Sequence, residues 1–378
     1  MRKSVHVYCA LLLFISLFIP SIRTVSAENA PLLSPLPNTS LYSQLYHLSD
    51  DTTLLVEPNY EKNYSTLNAI NLPQAKIPWS KKFPEIYDVY VLANPTKIVV
   101  MTRDNDNLKK IVLDQHGNTL SQQLYRNIKL NLELNSISIK VRWSPPQQNI
   151  EEQIVVLEQN YYKKKSIASL YSSPWIKPLL RKDIRIEPGS YEHLTIMDIT
   201  FRAPNLVVQY EGSGIMQSQF FYKIINIRNS QESTILIEGN IQTDFGVQDG
   251  KLIITTEHNS IGSPFGPDHN KGNLVYAVYD LNTKKQIHQQ VSTFTDNDTF
   301  GWNASYQAGK IWMHDLSDSK WIITDTFGKA LIEEQTTVFP EGVVRFITYA
   351  PVDKKAYFIV YKHKETAKLL ALEVTDRN

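Results

Sequence analysis

Short runs in which apolar and polar residues alternate recur along most of the chain. In the stretch ITYAPVDKKAYFIVYK, residues 347–362, two alternating runs flank a break at Pro351-Val352-Asp353. Alternation with a period of two is typical of a strand with one buried face, and a break rich in Pro or Asp is typical of a turn. This stretch therefore predicts a strand, a tight turn and a second strand.

The same pattern recurs upstream, with Pro, Asn, Asp or Gly at the turn. The other copies are 41–56, 87–100, 137–156, 197–208, 243–256 and 302–313. The second strands are predicted to begin at Thr52, Lys97, Gln153, Leu206, Lys251, Lys310 and Lys355, in steps of 45, 56, 53, 45, 59 and 45 residues. A unit of about 45 residues with loop insertions lies in the range of β-propeller blades.

A second tight turn follows in several of these units. Segments 111–122 and 322–333 place Gly117 and Gly328 three residues after an Asp. Asp favours the start of a type I turn, and Gly supplies the left-handed residue that closes it. Each unit is thus predicted to contain strands A, B, C and D, with tight turns between A and B and between C and D.

Seven such units predict an all-β fold, a seven-bladed β-propeller of four-stranded antiparallel blades. An alternative is a pair of stacked β-sandwiches whose hairpins are similar by accident, because the third unit lacks the second turn. The last unit shows only three strands before the sequence ends. Closing the ring would therefore require the N-terminal segment, and residues 30–37 are expected to form either a strap or an outer strand.

The first 27 residues have the pattern of a secretory signal peptide. Arg2 and Lys3 precede an apolar run over 5–20, and Val25-Ser26-Ala27 forms a small-residue cleavage site. We predict a signal peptide over 1–27, an N-terminal Pro-rich strap over 28–40 and the propeller over 41–378. The protein is expected to be secreted, or extracytoplasmic, without a membrane span after cleavage; an uncleaved N-terminal anchor is the alternative.

Composition and charge narrow the range of partners. With 42% hydrophobic and 20% charged residues the chain can form a packed core. Removing Arg2, Lys3 and Arg23 leaves 36 basic residues against 38 acidic ones, a net charge of −2. This balance gives no electrostatic reason to expect nucleic acid as a partner. The single cysteine, Cys9, lies in the leader, so no catalytic thiol is expected in the mature chain.

Several turns resemble those of known propeller repeats. APVDKK, VQDGKL and QAGKIW are similar to the SPDGK turn of TolB-like and WD-like repeats, and YDLNTKKQIHQ resembles the outer turn of YVTN and quinoprotein-like blades. The resemblance covers 41–378 and is to the β-propeller superfamily rather than to one family. It implies the fold and no activity, because propellers include enzymes, receptors and scaffolds. No blade carries the full quinoprotein repeat, and we expect no cofactor.

The longest loops indicate where a ligand would bind. If strand A is innermost, the B–C and D–A loops share one face, and the longest of them, 257–273 and 293–302, are neighbours there. Long loops commonly carry binding residues. The candidate ligand-binding residues are His258, Asp268, His269, Asp296, Asp298 and Trp302. Two imidazoles and a carboxylate could hold a transition metal, but their spacing matches no metal-binding signature, so no metal site is assigned.

Two functions are compatible with this sequence. Since there is no G-x-S-x-G elbow, no catalytic residue is assigned, and the first hypothesis is a binding or scaffold module for a protein, peptide or glycan at the cell envelope. The alternative is an extracytoplasmic polysaccharide hydrolase or lyase that uses carboxylate and His residues of the same loops. The aromatic cluster of unit six, Trp302, Tyr306, Trp312 and Trp321, could stack on sugars, but packing between blades is favoured.

Overall fold

A computed structural model describes the chain in thirteen ranges. They are 32–36, 43–59, 62–130, 137–147, 150–160, 165–184, 193–213, 218–237, 242–259, 273–292, 301–316, 319–362 and 365–374. Residues 33–378 form one compact unit, and the fold below is that of this unit. Within the described ranges no helix has the length and apolar character needed to cross a membrane.

The described ranges contain 28 strands that group by sequence into consecutive antiparallel sets. The first sets are β1 (Leu32–Pro35); β2 (Gln44–Ser49), β3 (Thr52–Asn59), β4 (Tyr64–Asn71) and β5 (Lys76–Phe83); β6 (Ile86–Leu92), β7 (Lys97–Asp104), β8 (Asn107–Leu113) and β9 (Thr119–Lys129); β10 (Ile137–Ser144), β11 (Gln153–Asn160), β12 (Lys165–Ser172) and β13 (Leu180–Asp183). The others are β14 (His193–Arg202), β15 (Asn205–Ser213), β16 (Ser218–Asn226) and β17 (Glu232–Ile237); β18 (Gln242–Gln248), β19 (Lys251–Asn259), β20 (Asn273–Asp280) and β21 (Gln286–Ser292); β22 (Gly301–Gln307), β23 (Lys310–Asp315), β24 (Lys320–Asp325) and β25 (Ala330–Thr336); β26 (Val343–Ala350), β27 (Lys355–Tyr361) and β28 (Lys368–Glu373).

These sets are the seven blades of a propeller, as the sequence predicted. Five of them are separate four-stranded sheets, and the remaining eight-stranded sheet consists of blades 5 and 6, which are joined by pairing between β19 and β22. The first strands contact one another around a complete ring, from β2 through β6, β10, β14, β18, β22 and β26 back to β2. Strand A is therefore innermost, and the double-sandwich alternative is wrong.

The predicted blade boundaries agree closely with the observed strands. Six of the seven second strands begin at the predicted residue, and β15 begins at Asn205, one residue before the predicted Leu206. This accuracy has a physical cause. A tight turn between two inner strands fixes the register of the hairpin, and the Val- and Ile-rich second strand is distinct because both of its faces are covered.

The hydrophobic core is divided among the interfaces between blades. Seven clusters of buried apolar side chains each combine residues from two adjacent blades. Leu54 of β3 and Ile98 of β7, for example, are completely buried in the cluster between blades 1 and 2. No blade covers its own two faces, so each one is stable only against its neighbours.

The N-terminal segment closes the ring. Strand β1 pairs with β28 and is the outer strand of blade 7, whose inner three strands come from the other end of the sequence. Leu36 is 1% exposed, and its backbone N–H donates to the carbonyl oxygen of Ala367 at 2.7 Å. Of the two forms expected for residues 30–37, the described part is therefore an outer strand.

Blade 6 and blade 7 meet in an aromatic cluster. Trp312 and Trp321 are 0% and 2% exposed and pack against Phe339 and Phe358, with ring centroids 5.3–6.5 Å apart. The interpretation that these two tryptophans pack between blades is confirmed. His314 lies in the same cluster, stacked on Trp312 at 5.4 Å, and its Nε2 atom has no hydrogen-bond partner in the part of the chain that the structure describes.

The burial of His314 predicts a loss of stability in weak acid. Burial lowers the pKa of His314 from 6.5 to about 4, although the neighbouring Asp315 opposes the shift. Because the unfolded chain then binds the proton more tightly than the folded one, this stability is present above about pH 6.5 and is lost as the pH falls toward 4. We expect the His314 contribution to the free energy of unfolding to fall by about 2 kcal/mol between pH 7 and pH 5.

Urea unfolding at both pH values would measure this effect. His314→Phe keeps an aromatic ring in the cluster. In this variant the change in the free energy of unfolding between pH 7 and pH 5 should be smaller by that amount. The control is His116→Phe, at an exposed position of the β8–β9 turn, which should leave the pH dependence as in the wild type. Equal slopes for His314→Phe and the wild type would contradict the prediction.

Candidate functional site

A central cavity, which we call the channel, lies along the axis of the ring. Its volume is about 900 Å³, and the first strand of every blade contributes to its lining. This volume is within the range of pockets that bind small molecules or chain segments. Ala203, Asp249, Gly250 and Ala308 belong to A–B turns and also line the cavity, which therefore extends toward the end of the ring formed by the short turns.

Three aspartates occupy equivalent positions on the inner strands. Asp88, Asp198 and Asp244 are each followed by four residues to the end of β6, β14 and β18, and all three line the cavity. The sequence-based site prediction considered loops and missed these strand residues. The signal that marks them is the Asp that recurs within YDVYVL, MDITFR and TDFGVQ.

Two of these aspartates follow a β-bulge. The register of β6 shifts between Ile86 and Asp88, and that of β14 shifts between Ile196 and Asp198. A bulge changes the direction of the side chains that follow it and is common beside functional sites. The bulged residue Tyr87 also presents its carbonyl oxygen to a neighbouring blade, where it accepts a hydrogen bond.

The donor of that hydrogen bond is Arg142 of β10, which connects three blades. Its Nη1 donates to the carbonyl oxygen of Tyr87 at 2.8 Å, its Nε to that of Ile199 at 2.8 Å, and its Nη2 to Oδ1 of Asp198 at 2.7 Å. Burial lowers the pKa of Arg142, but Asp198 and Asp88 reverse this and leave the pKa raised. The guanidinium therefore stays charged and joins blades 2, 3 and 4 at the wall of the channel.

Asp88 is the most buried carboxyl group of this wall. The residue is 7% exposed, and its Oδ2 accepts the backbone N–H of Trp143 at 2.9 Å. Burial raises the pKa of Asp88, and the positive charge of Arg142 opposes that shift.

Arg202 provides a second positive charge at the wall of the channel. Its guanidinium carbon lies 4.5 Å from the centroid of the Tyr90 ring, and its Nη1 donates to the carbonyl oxygen of Phe201 at 2.9 Å. Both Arg202 and Tyr90 line the 900 Å³ cavity. Carboxylate acceptors and a guanidinium donor thus face the same space, and this combination is suited to polar ligands.

A second cavity, which we call the fork cavity, lies at the other end of the channel. Its volume is about 410 Å³, and it shares Asp244, Tyr306 and Arg345 with the larger cavity. Its polar lining also includes Thr255, Glu257, Asn303 and Ser305. A Cβ atom at Gly246 would lie only 2.4 Å from the Tyr306 ring, so the glycine allows that ring to lie close against β18.

The loop residues predicted to bind a ligand fall mostly outside the described ranges. Asp268, His269, Asp296 and Asp298 lie there, and of His258 only the backbone is described; it pairs with Trp302. Asn259 and Gly301, which border the two long loops, also pair with each other. Among the residues that the structure describes, no group of three potential metal-ligating side chains occurs.

Trp302 is the one predicted site residue whose side chain is described. It is 4% exposed in the cluster between blades 5 and 6, and its indole N–H donates to Oγ1 of Thr256 at 2.9 Å. Thr256 lines the fork cavity. Trp302 therefore supports the wall of this cavity from behind.

Comparison with solved structures gives similar folds at low sequence identity. Against a structure of the Dos1 propeller the TM-score is 0.48 at 9% identity, covering 88% of this chain and 78% of that one. For the β-propeller domain of the Trilobed protease from Pyrococcus furiosus the TM-score is 0.45 at 13% identity, covering 92% of this chain and 96% of that one. For the WD40 domain of coronin from Toxoplasma gondii the TM-score is 0.43 at 10% identity, covering 93% of this chain and 88% of that one. No protein-family model matches the chain, and no curated protein matches its sequence.

Proposed function

We propose that the chain is a β-propeller binding module that takes a protein segment, a peptide or a glycan into its central channel. The observation that carries the proposal is the 900 Å³ cavity to which all seven blades contribute, with carboxylates and guanidinium groups at its wall. Binding without chemistry is favoured because the Arg142 guanidinium uses its donors to hold blades together rather than to face a reacting group.

The rigidity of the wall supports this proposal. Asp88 and Asp198 are held by backbone N–H donors, and Asp198 is also held by Arg142. A preformed wall keeps the entropy cost of ordering low, so more of the contact energy appears as affinity. The propeller is therefore suited to bind an extended polar segment along its axis.

The site of action and the contribution of the long loops are also proposals. The leader pattern of Arg2, Lys3 and the apolar run 5–20 supports export, with a ligand at the cell envelope. His258, Asp268, His269, Asp296 and Asp298 are proposed to contribute to the rim at the end of the ring that carries the fork cavity, because their loops start and end there.

Arg202→Ala tests the binding function. The purified protein is applied to printed arrays of oligosaccharides and of peptides, and the hits are measured by titration calorimetry. We expect binding to at least one array and an affinity at least about tenfold weaker in Arg202→Ala, because a charge-assisted hydrogen bond contributes about 1.5–3 kcal/mol.

The matched control is Arg126→Ala, which removes the same charge from an exposed position on outer strand β9. This variant should bind as the wild type does. An absence of binding to both arrays would refute the proposal, and so would equal affinity of Arg202→Ala and the wild type.

A further inference from the structure

We propose that the ligand is a carbohydrate and that one of its sugar units binds in the fork cavity, to Asp244, Thr255 and Glu257. This inference rests on the proposed binding function and names the class of ligand. It is carried by three features of the cavity. Two blades separate there, two carboxyl groups have no ion-pair partner among the described residues, and two buried hydroxyl groups have no hydrogen-bond partner among them.

The cavity lies where blades 5 and 6 separate. Thr255 of β19 pairs with Tyr276 of β20, whereas Glu257, two residues further on, pairs with Asn303 of β22. The neighbour on one edge of β19 thus changes from β20 to β22. Continued in the same register, the β19–β22 pairing would place Thr256 opposite Ala304 and Thr255 opposite Ser305, but the pairing ends at Glu257 and Asn303. The fork cavity is lined at this divergence.

Two carboxyl groups lie side by side in the fork cavity. Asp244 is opposite Thr255 in the β18–β19 ladder, and Glu257 is opposite Gln242, so Asp244 and Glu257 are diagonal neighbours. Side chains in this relation are about 7–8 Å apart at the backbone and within mutual reach. Both carboxyl groups line the fork cavity, and desolvation raises the pKa of each. The charge of Arg345 partly opposes the shift at Asp244, and the charge of Asp244 raises the pKa of Glu257 further.

Neither carboxylate is in an ion pair with a described residue. Asp244 accepts one hydrogen bond, from the backbone N–H of Phe245 at 2.7 Å. A carboxylate can accept about four hydrogen bonds, so a ligand that brings several donors would be held at both groups.

The hydroxyl groups of the fork cavity indicate which kind of hydrogen-bond donor the ligand carries. Thr255 is 0% exposed and lines the cavity, and its Oγ1 has no hydrogen-bond partner among the described residues; the same is true of Oγ of Ser305. A buried hydroxyl without a partner is unfavourable, because it has lost its hydrogen bonds to water without replacing them. Because a hydroxyl both donates and accepts, its natural complement is another hydroxyl.

A cation fits this cavity less well than a sugar. Arg345 lines the same space and repels positive charge, and among the described residues no third metal-ligating side chain joins the two carboxylates. Calcium in proteins takes 6–8 oxygen ligands. The Tyr306 ring also lines the cavity and provides an apolar surface, as binding sites for ring-shaped ligands require. A polyhydroxylated ring matches all of these groups.

The test uses the full chain and an array of neutral and acidic oligosaccharides, with dissociation constants of the hits measured by calorimetry. Thr255→Val keeps the shape of the side chain and removes only its hydroxyl, and Glu257→Gln keeps the size and removes the charge. We expect each variant to weaken binding of the best oligosaccharide about tenfold, with the melting temperature of Thr255→Val equal to or above that of the wild type. The control is Thr324→Val, a buried threonine of blade 6 that does not line the cavity.

The outcomes separate this inference from the binding function. In one outcome, Thr255→Val and Glu257→Gln both bind the oligosaccharide as tightly as the wild type while Arg202→Ala binds it more weakly. That result would overturn the sugar site and leave the binding function intact. Binding to peptides alone would overturn the carbohydrate class in the same way. Tenfold losses in both fork variants and no loss in Thr324→Val would support the inference.

Discussion

The free energy of unfolding should fall by about 3–5 kcal/mol when Arg142 is replaced by Met. The side chain is 15% exposed, and its guanidinium hydrogen-bonds to two carbonyl oxygens of neighbouring blades and to Asp198. Met keeps much of the apolar stem but none of the donors. Asp88, buried at 7% exposure, would lose the positive charge that most strongly opposes the rise of its pKa, and the carbonyl oxygens of Tyr87 and Ile199 would lose a partner.

Urea unfolding of the wild type, Arg142→Met and Arg142→Met/Asp198→Asn measures this contribution. Removing the charge of Asp198 as well should recover part of the loss, since without Arg142 this carboxylate keeps as an ion-pair partner among the described residues only the more distant ammonium group of Lys140, at 3.9 Å. Arg126→Met, on the exposed face of β9, should change stability by no more than about 0.5 kcal/mol. A loss below about 1 kcal/mol for Arg142→Met would mean that the blades are not held by this guanidinium.

Replacing Trp312 by Ala should destabilise the protein by a similar amount, about 3–5 kcal/mol. The indole is completely buried and contacts Phe339, Phe346 and Phe358, at centroid distances of 5.7, 6.5 and 5.3 Å. Ala would leave a cavity at the interface of blades 6 and 7 that these rings cannot fill without leaving their rotamers.

The matched variant is Trp312→Phe. The indole Nε1 of Trp312 has no hydrogen-bond partner among the described residues, so Phe removes an unsatisfied donor while keeping an aromatic ring. Its loss should be less than half that of Trp312→Ala in the same urea titration. Trp79→Ala, at a partly exposed position on outer strand β5, should cost less than Trp312→Ala as well. Equal losses at Trp312 and Trp79 would contradict the central position assigned to Trp312.

The fold could be predicted from the sequence because its cause is local. A hairpin needs only alternation and a turn residue, and both are visible within about 15 residues around Gly117 or Pro351. Repetition then supplied the number of blades. Whether residues 30–37 form a strap or an outer strand was left open, because four residues at the start of the fold do not indicate whether they pair with a sheet more than 300 positions away.

The channel site could not be predicted in the same way. The proximity of Asp88, Arg142 and Asp198 exists only after three blades are placed around an axis, and each residue alone resembles an ordinary polar position of a strand. Loop length directed attention to 257–273 and 293–302, whereas the described cavities are lined mainly by strands. A comparison of equivalent positions between blades would have found Asp88, Asp198 and Asp244, because their distance to the end of the inner strand is constant.

The pairing of β1 with β28 has a consequence for how the molecule is made. The ribosome synthesises β1 before any of the blades, yet its partner is the last strand of the fold to emerge. Until β28 has been synthesised, β1 has no partner strand and the ring cannot close. A chain of this design therefore completes its ring only after β28 has left the ribosome.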